Sequence, residues 1–324
     1  MTFDAAERVF STLISSAYRK NSLSRMRLAQ CQPEMLSTLR RCTKHGSPVQ
    51  FTLLAFPFKV PNPAKVGQRR LPDAAELAAI EHLAVLRDSI QSVYPPGLEF
   101  HVLHDGSLIA DVFGIDVQEV RQYEIYFADL IAKAGASDFI RCHDFGALQR
   151  RNAPDPYNSM ERLRSEAEQW WQEHRGTIEW RHRFQKTLGM INLRALSSST
   201  VAALMEYSCR GSLPRAYESV EHRVHRAMVL YDIQDAIIHQ FDPRPNSFPD
   251  AIHATTQERP GRLSLWLVRR GHSLLPWHGI GCIDAGGHVQ VRRAIDVLDL
   301  RDYQAEFIAR EETPFAYRSV PRIS

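Results

Sequence analysis

The chain has 324 residues, of which 44% are hydrophobic and 24% are charged. This composition is typical of a globular protein that buries a sizeable core, and it excludes large-scale disorder. Forty Lys and Arg against 37 Asp and Glu give a formal net charge of +3, which is too small for the electrostatic footprint of a nucleic-acid-binding protein.

The first half of the chain alternates predicted helices with predicted strands. Apolar residues recur at helical spacing in residues 4–29, 35–44, 73–93 and 117–134. Short apolar runs that suit buried strands cover residues 49–56, 98–103 and 139–142. The alternation predicts an α/β fold with an open, mostly parallel, Rossmann-like sheet, in which ligands bind at the carboxyl ends of the strands. The loops after Phe56, Leu103 and Cys142 are therefore candidates for a site.

The second half has a different character. Residues 158–240 show helical periodicity, interrupted at Gly176, Gly189 and Gly211, and are predicted to form a helical lobe whose charged residues lie on a solvated face. Strand-like segments follow at 251–255, 262–268, 278–283, 288–292 and 317–320. We divide the chain into a first half of the α/β core (1–150), a helical insertion (151–245) and C-terminal strands that complete the core (246–324).

The cysteines and the N-terminus limit the remaining possibilities. Five scattered cysteines without a CxxC pair predict neither a disulfide framework nor a zinc site. The first 19 residues lack a basic start followed by an apolar stretch, and no apolar run has the length of a membrane span. We expect a cytoplasmic protein with small-molecule substrates and with neither a membrane nor nucleic acid as partner.

Four motifs follow one another in an order seen in a known family. They are Leu54-Ala-Phe-Pro-Phe-Lys-Val-Pro-Asn62, Tyr94-Pro-Pro-Gly97, His104-Asp-Gly-Ser-Leu-Ile-Ala-Asp111 with Val112-Phe-Gly-Ile115, and Leu275-Pro-Trp-His-Gly279. In these segments the chain resembles the isonitrile (isocyanide) synthases of the pyoverdine/dityrosine biosynthesis family. That family includes the yeast spore-wall dityrosine enzyme and bacterial enzymes of pyoverdine clusters.

The resemblance implies a reaction in secondary metabolism. The amino group of tyrosine or tryptophan condenses with the ketone of ribulose 5-phosphate, and fragmentation of the sugar leaves one carbon as the isonitrile. It implies no redox cofactor and no metal, and a downstream biosynthetic enzyme could be a further partner. Such chemistry needs a cradle for the phosphate, an anchor for the carboxylate and groups that move protons.

The first and third motifs contain polar residues that are candidates for the site. Lys59 follows a buried strand, and in an accessible loop its ammonium could bind phosphate or act as an acid, although a loop lysine is otherwise simply solvated. Asp105 could bind the substrate amine or relay a proton, or could form only an Asx turn before Gly106. His104 and Asp111 belong to the same motif and are expected to bind substrate. Asp111 could instead cap the next helix or balance an arginine.

The last motif supplies an aromatic and a titratable residue. An imidazole at His278, with a pKa near neutrality, could shuttle protons, and the indole of Trp277 could wall an aromatic pocket. Either residue could also be only a structural part of a strand start. We predict Lys59, Asp105 and His278 as catalytic residues.

One block departs from the family. Where many members carry Ile-Arg-x-Ser-x-His, this chain has Ile252-His-Ala-Thr-Thr-Gln257. His253 replaces an arginine suited to phosphate recognition, which weakens the inference of a sugar phosphate more than that of the fold. A protonated His253 could stand in as the phosphate partner, and Arg262, Arg269 or Arg270 could compensate.

Two further interpretations stay open on the sequence. The same fold could formylate an amino acid amine or catalyse another condensation on it, or the chain could be a non-catalytic binding protein. A metal site built on His101 and His104 is disfavoured, because residues three apart in a strand point to opposite faces.

Overall fold

A computed structural model of the chain describes residues 4–15, 22–152, 160–256, 262–268, 274–297, 302–308 and 312–320. The α-helices in these ranges are α1 (Ala5–Ser15), α2 (Ser22–His45), α3 (Pro63–Val66), α4 (Ala74–Gln91), α5 (Gly106–Phe113), α6 (Val117–Lys133), α7 (Phe145–Asn152), α8 (Met160–His174), α9 (Ile178–Leu188), α10 (Ser198–Ser208), α11 (Glu218–Gln240) and α12 (Arg244–Ser247). The strands are β1 (Val49–Leu54), β2 (Leu98–His104), β3 (Ile140–Asp144), β4 (Ile252–Ala254), β5 (Ile280–Ile283), β6 (Val289–Arg292), β7 (Tyr303–Glu306) and β8 (Ala316–Ser319).

A four-stranded parallel sheet forms the centre of the fold, in the order β3-β2-β1-β4. Its central residues are fully buried, as expected for a parallel sheet covered by helices on both faces, and they include Phe51, Leu53, Phe100 and Val102. The predicted α/β class and parallel sheet are confirmed. β1 ends two residues earlier than predicted, because the chain leaves the extended conformation before Pro57.

The C-terminal strands divide between two sheets. Only β4, among the described strands after residue 246, joins the parallel sheet; the others form a second sheet in the order β6-β5-β8-β7. Residues 262–268 were predicted as a strand, but they form only an isolated bridge between Thr255 and Ser264. The second sheet packs on the start of α4, where a Cβ on Gly281 would lie 2.6 Å from the Ala75 nitrogen. The proposed boundaries at residues 150 and 245 stay predictions.

The helical segment predicted at 158–240 is confirmed within its described part, residues 160–240, as helices α8 to α11. Four short helices were not predicted: α5 follows β2 directly, α7 follows β3 directly, and α3 and α12 lie in segments without helical periodicity. The segments predicted as separate helices at 4–29 and 35–44 instead form α1 and a longer α2, which contains Pro33. Within the described ranges, no helix is both long enough and apolar enough to cross a bilayer.

The ends of β1 and β2 approach each other closely. At Gly106, the first residue of α5, a Cβ would lie 2.2 Å from the carbonyl oxygen of Pro57, so any larger residue would force the two segments apart. Phe56, between β1 and Pro57, has φ of 56°, a left-handed conformation that is uncommon outside glycine. Such outliers occur where packing over-determines the backbone, and here the outlier adjoins the cavity described next.

Candidate active site

A cavity of about 170 Å³ lies at the carboxyl ends of the parallel strands. Its walls include Leu54 and Ala55 at the end of β1, Asp105 after β2, and Thr255 and Thr256 after β4. Since β2 and β4 lie on opposite sides of β1, this is the point where the strand order reverses. Open α/β sheets bind ligands in such crevices. The predicted position of the site, beyond the ends of the strands, agrees with this cavity.

Three of the predicted site residues meet in this cavity: Asp105, Trp277 and His278. Asp105 is half-buried at the N-terminus of α5, but its carboxylate makes no hydrogen bond that caps this helix. Trp277 and His278 belong to a short 3-10 turn, Pro276–His278, that leads into β5. The structure thus brings residues from two of the sequence motifs to one cavity wall.

The environment of His278 differs from the prediction. Burial, together with the ammonium groups of Lys65, Lys186 and Lys59, holds the pKa of His278 well below its usual range. The expectation of a pKa near neutrality is therefore wrong. The imidazole is neutral at physiological pH, so it can accept a proton without first losing one.

The indole of Trp277 is held by aromatic contacts. Its ring meets the Phe56 ring edge to face at a centroid distance of 5.1 Å, and Phe56 stacks on Phe127 at 4.3 Å. This packing explains how Phe56 keeps its left-handed backbone, because the ring occupies a fully buried slot behind the cavity. Trp277 is therefore a rigid, apolar part of the cavity wall, and its contact with an aromatic substrate stays a prediction.

Lys59 was predicted to lie in an accessible loop, and this is wrong. Its side chain is completely buried, and its ammonium lies 3.1 Å from an Asp73 carboxylate oxygen and 2.8 Å from one of Glu76. It also donates to the carbonyl oxygens of Pro276, at 3.0 Å, and Gly279, at 2.8 Å. Lys59 does not line the cavity. A direct catalytic role stays a prediction, whereas these contacts favour a role in holding the turn that carries Trp277 and His278.

Glu76 completes a buried polar network with Lys59. Asp73 and Glu76 form a capping box at the start of α4, and the Tyr123 hydroxyl donates to Glu76 at 3.1 Å. Burial raises the pKa of Glu76 to about 7 against the opposing effect of Lys59, and the charge on Asp73 raises it further. A single ammonium thus faces two buried carboxylic groups, so one of them tends to hold a proton.

His104 and Asp111, which belong to the same motif as Asp105, lie outside the cavity. His104 is buried, its Nδ1 donates to the carbonyl oxygen of Phe56 at 2.8 Å, and burial lowers its pKa to about 4. Asp111 is exposed on α5. It does not cap the next helix, because Asp116 does so. The predicted substrate contacts of His104 and Asp111 are thus not supported by their positions.

His253 faces a different cavity from the one at the strand ends. It lies on β4, its Nδ1 is 2.8 Å from the Thr52 hydroxyl, and it lines a separate space of about 190 Å³ next to α2. Burial, with the nearby charge of Arg244, lowers its pKa to about 4. The idea of a protonated His253 as phosphate partner is therefore not supported by its position or its charge. Gln257, Arg269 and Arg270 lie outside the described residues.

Two arginines in the cavity supply positive charge. The Arg244 guanidinium is almost completely buried and contacts both carboxylate oxygens of Asp242, at 2.5–3.0 Å. Arg262, 28% exposed, lies 3.6 Å from the same carboxylate. The sequence analysis named Arg262 as a possible substitute but missed Arg244.

The helical lobe contributes a further wall that the sequence analysis did not identify. Lys186 of α9 and Tyr231, Asp235 and His239 of α11 line the cavity. The charged residues of the lobe were predicted to lie on a solvated face, as charged residues on helices usually do. The sequence indicated this wall only through the spacing of Tyr231 and Asp235, which are four residues apart and therefore lie on one face of a helix.

No group of three or more His, Cys, Asp or Glu residues within the described ranges is arranged to hold a metal ion. His101 Nδ1 lies 3.0 Å from His143 Nε2, whereas His104 contacts the Phe56 carbonyl. The two histidines of β2 therefore have different neighbours, as strand alternation predicts.

Comparisons with known proteins identify the family to which the chain is similar. The sequence profile described as "Pyoverdine/dityrosine biosynthesis protein" matches residues 39–200. The chain is 31% identical over 120 residues to an L-tyrosine isonitrile synthase of Xenorhabdus nematophila, covering 37% of this chain and 33% of that protein. It is 24% identical over 266 residues to the L-tyrosine isonitrile synthase of Pseudomonas aeruginosa, covering 79% and 75%.

The fold comparison covers nearly the whole chain. The crystal structure of PvcA from Pseudomonas aeruginosa matches with a TM-score of 0.67 and 22% identity, over 98% of this chain and 100% of the other. An L-tryptophan isonitrile synthase of Fischerella ambigua is 31% identical over 35% of each chain. The matched segments thus span about a third of the length of the Xenorhabdus and Fischerella relatives. With the family profile matching half of its residues, the chain belongs to the pyoverdine/dityrosine biosynthesis protein family.

Proposed function

We propose that this protein is an isonitrile synthase, which joins the amino group of tyrosine or tryptophan to a carbon taken from ribulose 5-phosphate. The observation that carries the proposal is the cavity at the strand ends, in which two groups able to accept protons, Asp105 and His278, share one space with Arg244 and Arg262. The similarity to L-tyrosine and L-tryptophan isonitrile synthases supports this choice.

The first chemical requirement is an amine with a lone pair. At physiological pH the amino group of an amino acid is protonated, so it must give up a proton before it attacks a ketone. The imidazole of His278 is neutral because its pKa lies well below its usual range, so its lone pair is available to that proton, and as a weak base it then passes the proton on. Asp105, which lines the same cavity, is suited to bind the ammonium form and orient it.

The second requirement is a place for the sugar phosphate. Arginine binds phosphate through two parallel hydrogen bonds, and it keeps its charge at every physiological pH. Asp242 contacts both Arg244 and Arg262 and so fixes the direction of their guanidinium groups at the cavity. In this proposal Arg244 and Arg262 bind the phosphate. That is the role expected of the arginine that many family members carry at the position of His253.

The third requirement is shelter from water during the fragmentation of the sugar. Trp277 and Leu275 form apolar parts of the wall, and the packing of Phe56 behind Trp277 keeps that wall in place. A water-excluded wall strengthens the interactions of the charged groups with the reacting atoms.

The proposal is tested by incubating the protein with the common amino acids and isotopically labelled ribulose 5-phosphate, followed by mass spectrometry. We expect a labelled isonitrile from an aromatic amino acid. Asp105→Asn should reduce its formation by roughly 100-fold or more. The matched control Asp111→Asn, which changes an exposed carboxylate outside the cavity, should keep parental activity.

Other outcomes identify the alternatives. A labelled N-formyl amino acid would indicate a different one-carbon reaction by the same fold. Binding of the amino acid without any product, in the presence of the sugar phosphate, would indicate a binding protein and would overturn the proposed activity.

A further inference from the structure

The helical lobe contains a second cavity that adjoins the first. It measures about 210 Å³ and lies between α8, α9 and α11. Its walls are formed by Trp171, Arg183, Lys186, Thr187, Met228, Tyr231, Asp232 and Asp235. Three of these residues, Lys186, Tyr231 and Asp235, also line the active-site cavity. The same side chains therefore border both spaces, which we call the lobe cavity and the strand-end cavity.

The sizes of the two cavities argue that they act together. Sites for small molecules usually measure about 300–1,000 Å³. The strand-end cavity has about 170 Å³ and the lobe cavity about 210 Å³, so neither reaches this range alone. Together they do. Two substrates, one of them an amino acid with a large side chain, need more space than the strand-end cavity supplies.

The shared wall has the chemistry of an amino acid backbone. It offers an ammonium, Lys186, and a carboxylate, Asp235, which complement the carboxylate and the ammonium of a free amino acid. The Lys186 ammonium lies 5.5 Å from the centre of the Tyr231 ring, and that ring packs against Phe113 at 5.7 Å. These contacts hold the wall residues in a defined arrangement.

The lobe cavity itself favours an aromatic side chain with a polar end. Trp171 and Tyr231 present aromatic surfaces, and Met228 adds an adaptable apolar contact. Its polar groups include the ion pair of Arg183 with both oxygens of Asp232, at 3.0 Å. Arg183 and Asp232 pair with each other and are partly exposed, so they offer hydrogen-bonding groups at the cavity wall that a phenol or an indole uses and an aliphatic side chain does not.

We propose that the lobe cavity receives the side chain of the amine substrate, an aromatic amino acid with a hydrogen-bonding group on its ring. The backbone of this amino acid lies at the Lys186–Asp235 wall, and its amino group points into the strand-end cavity. The inference rests on the proposed function. It adds the location of the side chain and the residues that select it.

The test fills the lobe cavity without changing the strand-end cavity. Met228 lines only the former, and Met228→Trp places a large ring inside it. Binding of L-tyrosine and of L-alanine is measured by calorimetry. We expect the parent to bind tyrosine at least about tenfold more tightly than alanine, a difference of about 1.4 kcal/mol. In Met228→Trp that preference disappears, because tyrosine loses its side-chain contacts while alanine is unaffected.

Three further variants keep the test decisive. Met228→Leu, a volume-conserving change, should retain the preference for tyrosine. Arg226→Trp adds the same ring on an exposed position of α11 and should also retain it. Thr187→Met fills the lobe cavity from α9 instead of α11, and it decides the question if Met228→Trp does not fold. Thermal unfolding confirms that each variant is folded.

The failure of this inference can be told apart from the failure of the proposed activity. Folded cavity-filling variants that still prefer tyrosine would overturn the inference, because the side chain would then lie elsewhere. If the parent binds tyrosine in the predicted manner but forms no isonitrile, the side-chain site stands and the proposed reaction falls. A parent that binds neither amino acid overturns both.

Discussion

The Lys59 ammonium lies 2.8 Å from the Glu76 carboxylate, and neither side chain is exposed to solvent. The same ammonium donates to the Pro276 and Gly279 carbonyl oxygens, which flank Trp277 and His278. The start of α4 is thus joined through one buried charge to the turn that supplies two residues of the strand-end cavity. Stability and cavity geometry depend on the same contact.

Replacing this lysine should destabilise the protein strongly. Lys59→Met leaves Asp73 and Glu76 buried without a cation, and breaking a buried pair in this way costs about 3–5 kcal/mol. Urea unfolding measures the loss. The exposed Lys44 serves as the control, since Lys44→Met should cost no more than about 1 kcal/mol. A Lys59→Met protein as stable as the parent would show that the network contributes nothing to the fold.

The titration of Glu76 should lower the free energy of unfolding as the pH rises. Its pKa is raised from an ordinary value near 4.3 to about 7, so the folded state holds this proton more tightly than the unfolded state. The stabilising contribution is complete below about pH 4.3 and is lost as the pH approaches about 7. Glu76→Gln cannot titrate. Relative to that variant, the unfolding free energy of the parent should decrease over this range by roughly 2–4 kcal/mol.

Denaturant unfolding of both proteins at several pH values checks the sign. A parent that gains stability relative to Glu76→Gln over this range would mean that Lys59, rather than burial, dominates the titration of Glu76. Tyr123→Phe, which removes the hydroxyl donor at 3.1 Å, provides a second comparison without changing a charge at neutral pH.

The case of Lys59 illustrates which features the sequence allowed us to predict. The alternation of strands and helices identified β1, β2 and β3, since β1 and β2 are apolar runs buried on both faces and β3 begins with a buried apolar residue. The prediction of a site at their ends followed from the same pattern. The burial of Lys59 depends on Asp73, Glu76 and the turn near residue 276, which are far apart in the chain. No local pattern marks such a meeting, so the lysine after β1 was interpreted as an accessible loop residue.

His278 should affect turnover without imposing a titration near neutrality. Because its pKa lies well below its usual range, the imidazole is neutral throughout about pH 6–8. We expect His278→Ala to lower kcat by about 10²–10⁴-fold and KM much less, since proton transfer acts in the transition state. The ratio of parental to variant rates should stay constant across that pH range.

The exposed His182 is the matched control, and His182→Ala should keep parental kinetics. A change confined to KM would make His278 a binding residue. A rate ratio that rises steeply between about pH 6 and 7 would show that the imidazole titrates near its ordinary value.

Arg262 and His253 should differ in their effect on the binding of the sugar phosphate. Arg262 lines the strand-end cavity, whereas His253 does not and has a pKa lowered to about 4. Arg262→Gln should weaken ribulose 5-phosphate binding by roughly tenfold to 100-fold, the effect of losing a hydrogen bond to a charged group. His253→Gln should leave the affinity unchanged.

Calorimetry between about pH 6 and 8 distinguishes the two residues, with inorganic phosphate as a competitor. Equal affinity of the parent and Arg262→Gln would remove Arg262 from the phosphate site. A pH-dependent loss in His253→Gln would restore the original expectation for His253.

The failure to predict the cavity wall formed by the helical lobe has a similar physical explanation. Lys186 and Asp235 come from helices whose surface is rich in charged residues, and charges on a helix normally face water. Only the packing of the lobe against the sheet ends turns Tyr231 and Asp235 inward, and this packing is a property of the tertiary fold rather than of helical periodicity. Asp105 and His278 could be found because they lie in motifs, whereas the lobe residues carry no comparable signal.

The position of β4 affects how the chain reaches its native state. A hydrogen bond joins Thr52 of β1 to His253 of β4, although 201 residues separate them. During synthesis β1, β2 and β3 emerge long before β4, and contacts over such separations form slowly. Until then one edge of β1 has no partner, and an unpaired strand with an apolar sequence promotes aggregation. The yield of folded protein should therefore be more sensitive to substitutions in the three residues of β4 than the small size of this strand suggests.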